Sequence, residues 1–96
     1  MIDENRFWDL VRQWEYNTKS TSSADQILGH PSVGQIIQMG QEAIPLILKA
    51  IKDNYHFAFI LYKLTGEWPV KEEHKGNGPR IIEAWRKWAK RRGYQL

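Results

Sequence analysis

Val33-Gly34-Gln35-Ile36-Ile37-Gln38-Met39-Gly40 is followed by Ile44-Pro45-Leu46-Ile47-Leu48-Lys49-Ala50-Ile51. After Lys52-Asp53-Asn54 comes Phe57-Ala58-Phe59-Ile60-Leu61-Tyr62-Lys63-Leu64-Thr65-Gly66. The apolar residues of this block recur three and four apart, the spacing that lines one face of an α-helix. A glycine ends the first stripe, and a polar three-residue step separates the second from the third. Together these spacings predict a stack of short helices and an all-α fold. Val33, Ile36 and Ile37 form the first inner face, with His30-Pro31-Ser32 opening its helix. Proline fits the first turn because the N–H it lacks has no intrahelical partner there. Gly40 tolerates the left-handed conformation common just past helix C-termini. The next helix is expected from Glu42 to Lys52, with Pro45 in or near its first turn and Ile44, Ile47, Leu48 and Ile51 as its stripe.

Asp53 is expected to cap a further helix running from Asn54 to Leu64. That segment is apolar nearly all round, which predicts the most deeply buried helix of the set. A buried strand competes, because Phe, Ile and Tyr favour strands. Length and helical neighbours favour a helix.

Working outward, Phe7, Leu10, Val11 and Trp14 form one helical face within a helix expected from Asp3 to Tyr16. Asp3 and Glu4 suit the positive end of the helix dipole. A polar loop follows from Asn17, in which Ser22 or Ser23 caps a short turn carrying Ile27 and Leu28. Beyond Gly66, residues 67–78 read as a long loop. Pro79 opens the last helix, which ends at Gly93, and Ile81, Ile82, Trp85, Trp88 and Ala89 fall within an arc of about 120°.

The chain has 96 residues, an ordinary globular composition and no cysteine. These figures suit one helical domain over 1–96: a capping helix over 1–17, a central helical block over 30–66, and a loop with a basic Trp-bearing helix over 67–96. Disulfides and thiolate zinc sites are excluded. The start, Met1 to Asn5, is acidic with no apolar run after it, which argues against a signal peptide. No run has the length of a membrane span, so no membrane partner and a cytoplasmic location are expected.

Several pieces from His30 to Tyr94 together resemble the HEAT-repeat proteins of bacteria. They are Ile36-Ile37-Gln38-Met39-Gly40, Ala43-Ile44-Pro45-Leu46-Ile47-Leu48, Leu61 through Leu64-Thr65-Gly66-Glu67, and Ala84-Trp85-Arg86-Lys87-Trp88. The resemblance implies HEAT-like antiparallel helix pairs and a scaffold that binds other macromolecules. Only one and a half to two pairs fit, and about three repeats are usually needed for stability. A compact bundle of about five helices, closed by the first and last, is therefore expected.

Catalytic chemistry is not evident. His30, His56 and His74 lack ligand spacing, and Glu72-Glu73-His74 lies between Lys71 and Lys75 on a loop, so no metal or cofactor is expected. Lys75-Gly76-Asn77-Gly78-Pro79 lacks the Lys-Ser or Lys-Thr of a phosphate-binding loop, and Pro79 removes a donor. No serine has an evident base, and a non-enzyme is expected.

Charge is concentrated at the end. Residues 80–96 hold six cations against one acid, Glu83, a net of +5 within a chain whose total is +3. Arg80, Arg86, Lys87, Lys90 and Arg91 fall within an arc of about 140° opposite the Trp face. Glu83 lies inside that arc, positioned to pair with Arg86 and Lys87. Five tryptophans add large packing groups, and Trp68, beside Pro69, either covers the core or is displayed. Trp68, Arg80, Arg86, Lys87, Lys90 and Arg91 are thus the candidate partner-binding residues. The expected partner is another protein, for which these cations suit an acidic one, with this chain acting as an interaction module of antitoxin or immunity type. Nucleic acid bound through phosphates is the alternative.

Overall fold

The computed structural model describes residues 3–95; Met1, Ile2 and Leu96 lie outside it, including the first two residues of the start read against a signal peptide. Among the described residues the chain is all-helical, with no strand. Six α-helices are present: α1 (Glu4–Thr18), α2 (Ala24–Leu28), α3 (Pro31–Gln38), α4 (Ile44–Ala50), α5 (Phe57–Thr65) and α6 (Gly78–Arg91). Three 3₁₀ turns, at Gly40–Ala43, Ile51–Asp53 and Glu72–His74, join them. The extra α-helix is α2, the short turn that was expected around Ile27. Contacts divide the chain into two units, Met1–Ala43 and Ile44–Leu96.

In the first unit, local polar side chains set each helix start. The Asp3 carboxylate accepts from the Arg6 amide at 3.1 Å, and Ser23 Oγ accepts from the Gln26 amide at 3.4 Å. His30 Nδ1 accepts from the Ser32 amide at 3.1 Å, so an imidazole occupies the capping position of α3 ahead of Pro31. These caps satisfy amides that have no intrahelical acceptor. α1 packs on α2 and α3, burying Phe7, Leu10, Val11 and Trp14 with Ile27, Val33 and Ile36. Ile37 is only half-buried. The Trp14 indole donates to the Ile27 carbonyl at 2.6 Å, which joins α1 to α2 through a buried bond. At the surface Arg6 donates to the Gln35 side chain at 2.7 Å, tying α1 to α3. Gly40 stands at φ +75°, where a side chain would be strained, and the helix of α3 stops just before it.

In the second unit, α4 packs on α5 and α6, and α5 packs on α6. Ile44, Leu46, Ile47, Leu48, Ala50 and Ile51 are all buried, leaving Pro45 and Lys49 as the exposed positions of α4. The most enclosed helix is therefore α4 rather than α5. α5 buries Phe57, Ala58, Ile60 and Leu61 but exposes Tyr62 and Lys63. Its cap also differs from expectation. Burial of Ile51 extends the chain past α4 as a 3₁₀ turn that takes in Asp53. Asn54 then turns the chain instead, its side-chain oxygen accepting from the His56 amide at 3.0 Å.

α5 ends in a hydrogen-bonded turn. The Gly66 amide donates to the Tyr62 carbonyl at 2.8 Å, and Thr65 Oγ1 both donates to the Leu61 carbonyl and accepts from the Glu67 amide. α6 starts on Asn77, whose side-chain oxygen accepts from the Arg80 amide at 3.2 Å. At its other end the Tyr94 amide donates to the Ala89 carbonyl at 2.9 Å and the Gly93 amide to the Lys90 carbonyl at 3.1 Å. With Gly93 at φ +83° this is a complete Schellman stop. The fold thus fixes both ends of α6, the helix that carries most of the candidate residues.

Candidate interaction surface on the last helix

α6 divides its circumference sharply. Ile81, Trp85, Trp88 and Ala89 are buried on one side, and Arg80, Glu83, Arg86, Lys87, Lys90 and Arg91 are exposed on the other. Ile82 is half-buried, at the edge of the inner face.

The exposed side is not one stripe, because the chain that follows α5 and the chain that follows α6 each border a different part of it. On one flank Arg86, Lys87 and Lys90 edge an open groove of about 720 Å³ whose apolar lining is Pro79, Ile82 and Tyr94. On the other flank Arg80, Lys87 and Arg91 face Lys71 and His74 across a narrower cleft of about 260 Å³. Lys87 and Glu83 border both. Arg86 also shares a small depression with Lys49 and Lys52 of the α4 end, which extends the positive field beyond α6.

Glu83 is the one acid in this array, and its partners differ from those expected. It lies 3.3 Å from Lys87 and 3.6 Å from Arg80, and does not pair with Arg86. The Lys87 ammonium, by hydrogen bond and charge, holds the Glu83 carboxyl below its usual range, with Arg80 and His74 adding smaller attractions. These pairs are open to water, so they contribute little to folding. Among the described residues Arg86, Lys90 and Arg91 have no carboxylate partner.

Trp68 lies outside both clefts. It stacks on Phe59 at 5.4 Å between ring centroids and presents edges to Tyr62 at 6.0 Å and Trp85 at 6.3 Å. One part of the ring covers Trp85, and 41% of the residue is exposed. Tyr62 is 46% exposed beside it, so the two make an aromatic patch separate from the cations.

Pro79, Ile82 and Tyr94 were not candidate residues, although Ile82 sits one step from the arc of cations. Lys71 and His74 were also missed as a site, since nothing in a loop's periodicity says which helix face it will meet. Arg92 proves to be structural. Its guanidinium lies 2.6 Å from the Glu67 carboxylate, which also accepts from the Trp88 indole at 3.3 Å, and it rests over the Trp88 ring. Tyr94 stacks on the same ring at 5.8 Å. The Trp85 indole nitrogen, by contrast, is buried with no hydrogen-bond partner among the described residues.

The three histidines are dispersed. His30 caps α3, His74 borders the narrow cleft, and His56 stacks on Tyr55 at 4.4 Å, partial burial lowering its pKa from the ordinary value. Among the described residues no three His, Asp or Glu side chains gather as metal ligands would, and no helix is long and apolar enough to cross a membrane. No known protein family matches the chain, nor does any curated protein or solved structure.

Proposed function

We propose that this chain is a small, non-catalytic interaction module of HEAT-like type that binds another protein through the open groove on α6. The observation that carries this reading is the combination of an apolar floor, Pro79, Ile82 and Tyr94, with the rim cations Arg86, Lys87 and Lys90. An amphipathic acidic segment suits that combination, burying apolar residues on the floor and placing carboxylates against the rim. Among the described residues Arg86 and Lys90 have no carboxylate partner, which favours the same conclusion, because cations not so engaged are available to a partner. The Gly40 stop followed by Pro45 at the start of α4, and the Leu-Thr-Gly-Glu turn after α5, support the HEAT-like comparison. A groove that is both apolar and cationic suits an antitoxin or immunity-type partner of a second protein.

The test is affinity capture from nuclease-treated host extract, followed by mass spectrometry, with the native chain and with Arg86→Glu/Lys90→Glu. The expected result is an acidic protein retained by the native chain and reduced at least about tenfold by the double reversal, since like charges facing each other across an interface repel. Equal retention by both forms, or capture that vanishes with nuclease, contradicts the proposal; the second outcome points to nucleic acid.

A further inference from the structure

We infer that the narrow cleft between α6 and the loop after α5 is a binding site for phosphate groups, distinct from the open groove although Glu83 and Lys87 border both. Lys71, His74, Arg80, Lys87 and Arg91 line it, and Glu83 is the single acid among its lining residues. Four permanent cations and an imidazole face one carboxylate in a space of about 260 Å³. That is room for roughly eight waters at their share of liquid volume, enough for a short chain of phosphates. The cations come from two parts of the fold. Arg80, Lys87 and Arg91 lie along one line of α6, two turns and one turn apart, and Lys71 and His74 come from the loop before it. A multivalent anion is therefore met from two directions rather than by one flat face.

Glu83 indicates what the cleft is charged to hold. Its carboxylate lies 3.3 Å from Lys87 and 3.6 Å from Arg80, so the chain's own acid already pairs with two of the cations. One carboxylate leaves most of the positive charge unmatched, and Arg91 has no acidic partner among the described residues. A phosphate carries more charge and three acceptor oxygens, and arginine forks fit those oxygens in pairs. A bound phosphate thus takes over the cations that Glu83 holds and adds Arg91 and Lys71. The shared chemistry is a phosphate group, whether free in a short polyphosphate or carried along a nucleic acid backbone.

Calorimetric titration with sodium tripolyphosphate at low ionic strength tests this, with a short single-stranded oligonucleotide as the second arm. The native chain is expected to bind, and Arg80→Ala/Arg91→Ala to weaken binding by about tenfold or more. Glu83→Gln is expected to tighten it about fivefold, the worth of one unit charge near 4 Å in water. Arg86→Ala/Lys90→Ala removes the same net charge from the other flank and is expected to change affinity less than about twofold. Circular dichroism confirms that each variant is folded. Binding of the oligonucleotide alone, with the same ranking of variants, also supports the site and assigns the phosphate to a nucleic acid backbone. Equal losses in the two double variants, no gain with Glu83→Gln, or no binding of either probe overturns the inference.

Discussion

Trp85→Ala is expected to lower the stability of the chain by about 3–5 kcal/mol, the usual cost of removing a fully buried large aromatic. Trp85 has no exposed surface and lies on the buried side of α6, in edge contact with Trp88 at 5.2 Å and Trp68 at 6.3 Å. Its loss opens a cavity beneath the exposed Trp68 and removes the packing surface for two further indoles. At about 4–8 °C per kcal/mol for a chain of this size, the melting temperature should fall by more than 10 °C. Thermal unfolding followed by far-ultraviolet circular dichroism measures it directly. The conservative change Trp85→Phe should cost much less. It keeps an aromatic ring and removes a buried N–H that has no partner among the described residues, so part of the lost packing is offset by relief of desolvation.

Trp14 should respond oppositely to that conservative change. It is also fully buried, but its N–H donates to the Ile27 carbonyl. Trp14→Phe leaves that carbonyl without its indole donor, at a cost of about 1–3 kcal/mol beyond the lost ring area. Trp14→Ala adds the loss of the ring and should cost about 3–5 kcal/mol from packing alone. Urea unfolding of the two phenylalanine variants side by side gives the comparison. Trp14→Phe is expected to be the more destabilising, and equal costs would show that the Trp14–Ile27 bond contributes nothing to the first unit.

Much of this fold was legible because short-range chemistry sets its punctuation. Asp3, Ser23, Pro31 and Pro79 stand where they do because helix starts leave amides without acceptors, a need that does not depend on distant neighbours. The errors arise where tertiary packing decides. Asp53 and Asn54 are both good turn residues, and the choice between them followed from burial of Ile51, which carries the chain one 3₁₀ turn further. α5 reads as apolar all round, yet Tyr62 is exposed beside Trp68, because aromatic rings at a surface shield one another by stacking and edge contacts. The cations of α6 were legible as a group from their arc. Their division into two flanks was not, since it depends on where Lys71, His74 and Tyr94 come to rest, and neither loop nor tail has a periodicity that reports it.

The outer face of α6, proposed as the binding face, should not be needed for folding. Equilibrium urea unfolding of Arg86→Gln/Lys90→Gln/Arg91→Gln, compared with the native chain, tests it most directly. Exposed charges without partners contribute little, so the unfolding free energy should stay within about 1 kcal/mol of the native value. A larger loss of stability would show that these cations hold the fold together, contradicting their assignment as a binding face.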